Sequence, residues 1–517
     1  MLKFHFMIVG LLVTGCMVGP DYHEPYKPIV EEWKIDDGSV NEQPFDNVEW
    51  WEVFHDNVLT QVIHEGYANN LSLQITGVKV LQARALLAQS VGELYPQEQN
   101  ITSNLTYYRI GGSEFQNLLP TYFATDALGF TTNWELDFWG KYRRAIQSNN
   151  ATFLASIAAY DSALVTLTSD IASAYIKIRT TEEQIKITNT NIQVQTQGLD
   201  IAKARHGAGE VSLVDVEQAL TELSETQAKI PQLNVELQKQ KDALCLLLGT
   251  VPNQLDCLLD LQHGIPEAPL SVAVGIPVET IARRPDICQS RLEAVAQSEL
   301  IGSTKANLFP ALSLTGTFAF SANNILESSL ANLLEWSNRT YTAGPALSWP
   351  VLNYGQITNS VRAQDAVFQE ALLNYINAVL KAQQEVQDSI TAFIEAKIAV
   401  QYLTEANRAA TKTLQLAIIR YREGESDFTP VLNAEQQQLR VQSSLTKAQG
   451  EIPQALVSLY RSLGGGWEIK NGDDVIPDRI KCEMLKRTNW GNLLKQENHQ
   501  EPESGWQWFK QLYLPNW

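Results

Sequence analysis

The chain contains 517 residues, and its 39 Lys and Arg against 58 Asp and Glu give a formal charge of −19. An acidic chain with a pI near 4.9 is repelled by phosphate backbones, so nucleic acid is not expected as a partner. With 44% hydrophobic residues the chain is too apolar to be disordered, and it is too long for one ordinary core. Its glycines and prolines do not gather into linkers, which favours an elongated molecule.

The amino terminus has the features of a lipoprotein signal peptide. Lys3 gives an early positive charge, and the mostly apolar run 4–13 is too short to cross a bilayer as a helix. Residues 12–16, Leu-Val-Thr-Gly-Cys, resemble a bacterial lipobox, in which the cysteine is acylated and becomes the new amino terminus. We therefore expect lipid attachment at Cys16. Met17 stands where an aspartate would retain the protein in the inner membrane, so the resemblance implies the outer membrane of a Gram-negative bacterium.

Two copies of one unit fill most of the chain. Residues 134–140 read Trp-Glu-Leu-Asp-Phe-Trp-Gly and residues 349–355 read Trp-Pro-Val-Leu-Asn-Tyr-Gly, so the second copy is numbered 215 higher. The same shift aligns Ala202 with Ala417, Arg205 with Arg420, Gly209 with Gly424, and Gly249 with Gly464. Matched Trp, Gly and Arg positions are not expected from chance likeness between two helical stretches. The pattern predicts two internal structural repeats.

Each copy predicts a very long helix and a returning helix. From Lys141 to about Arg205, apolar residues recur in steps of three and four, which indicates supercoiled helix packing. About 65 helical residues extend on the order of 100 Å, which is too long for a globule. A second seam of small residues runs beside the first, so we expect a neighbouring helix on each side, as in a tube of helices.

Glycine-bearing turns are expected to join these helices. Residues 205–209 and 420–424 predict the turns that reverse the chain, with Arg205, Gly209, Arg420 and Gly424 at matched positions. Gly249 and Gly464 are expected just after the last residues of the returning helices, where a left-handed residue commonly ends a helix.

Strand-like patterns precede each long helix. Polar residues alternate with apolar or aromatic ones in four segments, predicted as strands: 100–109, 122–138, 311–320 and 340–352. Lengths near ten with frequent aromatics suit membrane-spanning strands, but ordinary soluble hairpins have the same pattern, and the lipobox favours the membrane. Four strands cannot close a barrel around a channel. Spanning a bilayer in this way requires strands from several chains.

The chain resembles outer-membrane factors, the TolC-like exit ducts of tripartite efflux and secretion machines, in their acylated NodT-type branch. The matching segments are spread over the mature chain to about residue 467: 15–22, 50–59, 82–85, 283–287 and 463–467. The resemblance implies a mixed α/β membrane protein that combines a long antiparallel coiled-coil α-helical barrel with a β-barrel. It also implies a homotrimer, in which four strands per subunit build one twelve-stranded β-barrel.

The function implied is that of an outer-membrane channel without enzymatic activity. It passes substrates from an inner-membrane pump, of the proton-driven RND type or the ABC type, with a periplasmic adaptor protein between pump and channel. Outer-membrane lipid is the remaining partner. The helical tips would bind the adaptor and shift toward an open state.

The resemblance also implies a gate at the periplasmic end of the tunnel. Asp215 stands where the family has a gate-tethering acid. TolC-like members carry acids at the positions of Pro430 and Asn433, so this chain departs from the pattern there. Glu423, Glu425 and Asp427 lie nearby, and they restore negative charge at the mouth if they face it; solvated helix-end charges are the plainer interpretation.

Two other functional classes fit the sequence less well. An enzyme is not expected, because the sequence has no known catalytic or phosphate-binding motif and no cofactor fingerprint. No metal site is expected either, since His55 and His64 are nine residues apart and not paired on one helix face. A lipid-anchored coiled-coil spacer without a pore would explain the lipobox and the heptads. It would not explain strands placed before each long helix.

The repeat boundaries divide the chain into signal peptide, acylated amino-terminal segment with an equatorial part, repeat 1, linker, repeat 2 and Trp-rich tail: 1–15, 16–70, 71–249, 250–284, 285–464 and 465–517. The tail is expected to dock on the helical body or at the membrane interface through its tryptophans: Trp490, Trp506, Trp508 and Trp517. Cys245 and Cys257 are open to pairing in an oxidising periplasm, which their separation in sequence does not decide.

Overall fold

The computed structural model describes residues 17–35, 38–43, 48–111, 120–252, 254–269, 271–325 and 329–494, without the side chain of Cys257. Its helices in chain order are α1 Asn57–Asn69, α2 Leu71–Gly92, α3 Lys141–Gly207, α4 Leu213–Leu247, α5 Asp256–Leu259, α6 Pro277–Arg283, α7 Pro285–Ala306, α8 Gln356–Arg422, α9 Thr429–Ser462 and α10 Asp478–Arg487. Its strands are β1 Val40–Asn41, β2 Glu98–Arg109, β3 Tyr122–Leu136, β4 Val272–Ala273, β5 Ala311–Asn323 and β6 Arg339–Ser348.

Two rods run the whole length of the helical body. Helices α3 and α8 each contain 67 residues, so each is about 100 Å long. The long helix predicted from Lys141 is confirmed. Both rods begin directly after a glycine with a left-handed backbone, Gly140 at φ 79° and Gly355 at φ 83°. Other residues rarely adopt that backbone, which explains the matched glycines at the point where strand gives way to helix.

Each repeat adds a second rod, made of two helices stacked end to end. Helix α4 ends against the start of α2, where the Asn70 side chain accepts from the Leu73 N–H at 2.8 Å and donates to the Leu247 carbonyl at 2.7 Å. In repeat 2, α9 ends against the start of α7, and Arg284 donates to the Ser462 carbonyl at 2.8 Å. A Cβ at Gly249 would lie 2.5 Å from the Asn69 carbonyl oxygen, so this junction requires glycine.

The four rods form one layer. In the half that carries the reversing turns the order is α4, α3, α9, α8, and in the other half it is α2, α3, α7, α8. Helix α3 therefore has neighbours on both sides, as its two seams predict. Within the described chain the composite rod of α2 and α4 and the rod α8 are the outer members, and each packs on one side only.

A four-stranded antiparallel sheet of order β2-β3-β5-β6 continues from the end of the layer opposite the turns. The two repeats meet at β3 and β5, where Phe130 pairs with Phe318 and Trp134 with Leu314. All four predicted strands are present. The first begins earlier than predicted, at Glu98, and the third runs on to Asn323, because residues at both ends still pair with β3.

The other two strands end earlier than predicted. The second ends at Leu136 and not at 138, because the Asp137 carboxylate accepts hydrogen bonds from two backbone N–H groups in the first turn of α3, at 3.1 and 3.0 Å. The fourth ends at Ser348 and not at 352, because Pro350 has no N–H to donate to a strand partner.

The equatorial core lies where the two halves of the layer meet, and it is the largest hydrophobic cluster. Trp50 and Trp51 are fully buried there, and the Trp50 ring stacks on the Tyr460 ring with centroids 5.2 Å apart. Asp56 begins α1 by accepting from two backbone N–H groups at 2.9 Å, and it also accepts from the Tyr175 hydroxyl at 2.8 Å. Residues before and within α1 are thereby fixed to the long rod α3.

The amino-terminal segment lies along α8 and is held by two glutamines one turn apart. The Gln383 side chain accepts from the Val30 N–H at 2.9 Å and donates to the Pro28 carbonyl at 2.8 Å. Gln387 binds both backbone groups of Lys34 in the same way, at 3.0 and 2.9 Å. The segment then pairs as β1 with β4 of the inter-repeat linker.

The described part of the tail docks on the helical body. Arg84 of α2 donates to the Leu493 carbonyl at 2.7 Å, and Trp490 packs against a small cluster of Leu81, Ile476 and Met484. The last three tryptophans of the tail lie outside the described residues.

Helix α3 is the one described helix that is long and apolar enough to cross a membrane by length and composition. Of its most apolar stretch 56% is buried inside the protein, as in the core helix of a helical body. Cys245 is buried in α4, and its pairing with Cys257 lies outside the described residues.

Candidate gate at the hairpin tips

Two helical hairpins end side by side at the tip of the body. Hairpin 1 is α3 with α4, hairpin 2 is α8 with α9, and their turns are residues 208–212 and 423–428. Gly209 and Gly424 have left-handed backbones, φ 78° and 80°. In each turn the next N–H returns to a helix carbonyl, from Glu210 to Arg205 at 3.0 Å and from Glu425 to Arg420 at 2.9 Å. These are matched Schellman caps, and they explain the repeated glycines.

In both turns the equivalent arginine pairs with the equivalent glutamate, but the surroundings of the two ion pairs differ. Arg205 Nε lies 3.1 Å from Glu210 Oε2, and Arg420 Nε lies 3.6 Å from Glu425 Oε2. The Arg205 side chain is only 14% exposed, whereas that of Arg420 is 66% exposed. Hairpin 2 covers Arg205, so the repeat is not symmetric at the tip.

Arg205 and Tyr421 connect the two hairpins. The Arg205 guanidinium donates to the Tyr421 carbonyl and lies 4.7 Å from the centre of the Tyr421 ring. The ring is buried and meets Phe428 edge to face at 5.3 Å. A partly desolvated cation over an aromatic ring contributes about 1–2 kcal/mol, so this contact stabilises the packing of hairpin 2 on hairpin 1.

Asp215 lies beside this contact. It accepts from the Ser212 hydroxyl at 3.3 Å, in the first turn of α4. Burial raises the pKa of Tyr421, the negative charge of Asp215 raises it further, and Arg205 opposes both. The charges of Asp215 and Arg205, both on hairpin 1, therefore both affect the pKa of the Tyr421 hydroxyl on hairpin 2.

The remaining predicted gate residues lie on the surface of the turn in hairpin 2. All five side chains are exposed: Glu423, Glu425, Asp427, Pro430 and Asn433. Pro430 fits the first turn of α9 because a backbone N–H has no helical acceptor there, so the missing N–H of proline costs no hydrogen bond. Arg205 and Asp215 are thus brought together with hairpin 2, whereas Gly209 has no heavy atom of the described residues beyond its own turn within 4 Å of an added Cβ. The acids of hairpin 2 face solvent in one chain.

Tyr421 and Phe428 were not predicted from the sequence. Comparison of the two repeats could have found them, because the equivalent residues of copy 1, numbered 215 lower, are His206 and Leu213. Both departures replace a residue of copy 1 by a large aromatic ring in copy 2. A second, smaller hydrophobic cluster forms around these rings, separate from the equatorial core.

The start of the mature chain lies at the junction of sheet and helices. The Val18 N–H donates to the Trp139 carbonyl at 3.0 Å, and a Cβ at Gly140 would lie 2.7 Å from the Met17 side chain. Arg144 then binds Asp21 at 2.8 Å and Glu299 at 2.6 Å, which fixes the segment to α3 and α7. Cys16 lies outside the described residues, but its neighbour Met17 is held at this level.

Comparison with known proteins gives a consistent result. The sequence profile of the outer membrane efflux protein family matches twice, at residues 62–250 and 276–465, and each match overlaps one of the two predicted repeats. Nodulation protein T of Rhizobium leguminosarum bv. trifolii is 26% identical over 462 residues, covering 89% of this chain and 96% of that protein. The cation efflux system protein CusC of Escherichia coli is 25% identical over 463 residues, covering 89% and 98%.

Solved structures of outer-membrane channels have the same fold as this chain. The outer-membrane channel OprN superposes with a TM-score of 0.79 at 28% identity, covering 88% of this chain and all of that chain. The Campylobacter jejuni CmeC outer membrane channel has the same fold, with a TM-score of 0.79 at 21% identity and coverage of 90% and 98%. The chain therefore belongs to the outer membrane efflux protein family: it is a lipid-anchored exit channel of the outer membrane, not an enzyme and not a poreless spacer.

Proposed function

We propose that three copies of this chain close into one channel. The number three is what the resemblance to outer-membrane factors implies, and it is supported by a sheet and a helical layer that both end in open edges in a single chain. Within the described residues, β2 and β6 are each paired on one side only. Backbone donors and acceptors along their outer edges need partners in a membrane. If β6 of one copy pairs with β2 of the next, three sheets make a twelve-stranded barrel.

The helical layer supports the same closure. Its outer rod α8 carries exposed apolar residues that no described residue covers: Leu373, Leu380, Ile398, Tyr402, Leu416 and Ile419. The opposite outer rod carries others: Leu71, Ile75, Val78, Leu220 and Val235. Apolar stripes this long mark interfaces. Packing α8 of one copy against the α2 and α4 rod of the next would bury both stripes and close the tunnel.

Aromatic side chains at both ends of the sheet support a membrane position. Far from the helices, exposed rings lie at or near the ends of β2, β3 and β6: Tyr107, Tyr122, Trp336 and Tyr341. Near the helices, Trp349 and Tyr354 are exposed. Two aromatic girdles are typical of transmembrane barrels. Met17 lies at the second girdle, so an acyl chain on Cys16 would enter the membrane at the level where the barrel leaves it.

The hairpin tips are proposed as the closed gate. The contact of Arg205 with Tyr421, with Asp215 beside it, holds hairpin 2 against hairpin 1. Three such contacts around one axis would keep the tunnel closed at its periplasmic end. Pro430 and Asn433 supply no acidic ring, and an acidic mouth would instead come from the exposed Glu423, Glu425 and Asp427.

A periplasmic adaptor protein is the proposed partner at the tips. A groove of about 420 Å³ there lies between α4 and α9, with Leu213, Val214 and Leu432 in its lining. Leu213 and Val214 are exposed in the chain alone, as expected of a surface that another protein covers. An inner-membrane pump of the proton-driven RND type or of the ABC type would supply the energy. Relatives are named for cation and for antibiotic efflux, so we propose that the pump sets the cargo.

A matched pair of substitutions tests the gate. Arg205→Ala removes the contact between the hairpins. Arg420→Ala removes the equivalent arginine of the other repeat, whose ion pair among the described residues is with Glu425 of its own turn. We expect Arg205→Ala and Asp215→Ala to make cells leaky to large antibiotics and to raise single-channel conductance in planar bilayers. Arg420→Ala should behave like the wild type. Equal permeability in properly assembled Arg205→Ala, Asp215→Ala and wild-type channels would overturn the gate.

A further inference from the structure

A pair of buried glutamates lies between the two hairpins, about three turns from their tips. Glu222 on α4 is 5% exposed and Glu435 on α9 is 3% exposed. The two helices approach each other across α3, where Gly198 leaves room: a Cβ at that position would lie 3.1 Å from Glu435 Oε1. The pair is not part of the predicted gate. Both glutamates lie within helices, and their side chains are buried between the packed helices.

The seam between the two hairpins, where α9 meets α3 and α4, contains side-chain hydrogen bonds near these glutamates. Gln436 of α9 donates to Glu222 Oε2 at 2.8 Å, and Asn191 of α3 donates to Gln442 Oε1 at 2.6 Å. Glu435 Oε1 is buried and, within the described residues, has no hydrogen-bond partner. An ionised carboxylate in that position would be both desolvated and next to a second carboxylate, which is a costly arrangement.

The neighbouring elements do not neutralise Glu435. Helix α3 presents Gly198, and its nearby charges Asp200 and Lys203 are exposed; α8 contributes the apolar Leu414 to this part of the tip. The charged groups on α4 and α9 line a cavity of about 690 Å³ beside Glu222, and their side chains are exposed: Glu225, Lys229, Arg440 and Lys447. Burial, and then the charge of Glu222, raise the pKa of Glu435 to about 7.

We propose that Glu222 and Glu435 form a proton-binding site that holds hairpin 2 against hairpin 1, so that the tip is closed more firmly in acid and loosens when the proton leaves. With one proton on the pair, Glu435 is neutral. When that proton dissociates, two negative charges face each other in the packed seam, and separation of α9 from α3 and α4 relieves the repulsion. The inference rests on the proposed gate, whose opening requires movement at this seam.

The sign of the pH effect follows from the raised pKa of Glu435. A carboxyl group whose pKa is higher in the packed state favours packing below its unperturbed value, 4.5, and loses that contribution as pH rises through about 7. The seam should therefore be tightest in mild acid and weakest in mild alkali. The Glu435→Gln substitution keeps the shape of the neutral side chain and removes the titration.

The experiment uses the full-length acylated protein in planar lipid bilayers and in detergent micelles. Conductance is recorded from about pH 5 to about pH 8.5, and hydrogen exchange of the segments around Gly198 and Glu435 is measured over the same range. Wild type should show a several-fold rise in both, with a midpoint near neutral pH. Glu435→Gln should stay low and flat, while Glu451→Gln, an exposed glutamate of α9, should titrate like the wild type.

A flat wild-type profile would overturn the inference, and so would a transition that persists in Glu435→Gln. A transition set by added calcium at constant pH would also overturn it, because a cation would then occupy the pair. Failure of the channel itself looks different. In that case neither wild type nor Asp215→Ala conducts at any pH, whereas failure of the proton site leaves a conducting channel without a pH step.

Discussion

The equatorial core and the hairpin tips belong to the same rods, yet they are packed in different ways. At the equator, Trp50, Trp51 and Tyr175 are fully buried in one large cluster that draws on both repeats, the amino-terminal segment and the linker. At the tips, a small cluster around Tyr421 and Phe428 is supplemented by polar groups such as Glu435. The long helices α3 and α8 pass through both regions, so helix length does not explain the difference.

The contrast indicates where the free energy of folding is concentrated and where movement costs little. Regions with few buried apolar contacts open at lower free energy than the main core. A channel that must stay assembled while its periplasmic end opens needs this division. We expect substitutions at the equator to destabilise the whole protein and substitutions at the tips to change permeability with little change in stability.

The largest effect is expected at the equator, for Trp51→Ala. Truncating a fully buried tryptophan removes its burial energy and leaves a cavity, and it should lower the free energy of unfolding by about 3–5 kcal/mol. Thermal unfolding followed by circular dichroism at fixed protein concentration measures the change. Trp336→Ala, at an exposed tryptophan of the sheet end, is the control and should cost less than about 1 kcal/mol. Similar losses in both variants would contradict the assignment of the main core.

An intermediate effect on stability is expected where α9 of hairpin 2 packs against α3 of hairpin 1, for the substitution Gly450→Ala in α9. A Cβ there would lie 2.3 Å from Thr180 Oγ1 of α3, so the helices must separate. Overpacking of this kind costs about 1–3 kcal/mol. Gly207→Ala at the end of α3 is the matched control, because no heavy atom lies within 4 Å of the added Cβ. A stabilised Gly450→Ala protein would show that the crossing is looser than described.

The smallest effect on stability is expected at the tip, for Tyr421→Phe. The Tyr421 hydroxyl has no hydrogen-bond partner among the described residues, so its loss should change the free energy of unfolding by less than about 0.5 kcal/mol. The ring that faces Arg205 remains, and the channel should stay closed. Tyr421→Ala removes the ring and should leak in bilayer recordings. If Tyr421→Phe leaks as much as Tyr421→Ala, the hydroxyl and not the ring holds the gate.

Much of the fold could be predicted because its signals are local. Heptad spacing marks the long rods, and matched glycines mark the turns at Gly209 and Gly424. The strand ends are predicted less accurately, since β3 ends where the Asp137 side chain reaches forward to cap the first turn of α3. The contact of Arg205 with Tyr421 and the burial of Glu435 depend on how the two hairpins pack. The spacing of apolar residues along one helix does not show which neighbouring helix covers a given side chain.

The most direct test of the shared channel is the native mass, corrected for bound detergent, of the acylated protein extracted from outer membranes. The open edges at β2 and β6 and the apolar stripes on the outer rods predict association with further copies, and the resemblance to outer-membrane factors implies three copies. Its mass should be near three times 57.7 kDa, less the three signal peptides. A monomeric mass in a protein that retains its helical content would contradict the account, because the sheet and the tunnel would then have no means of closing.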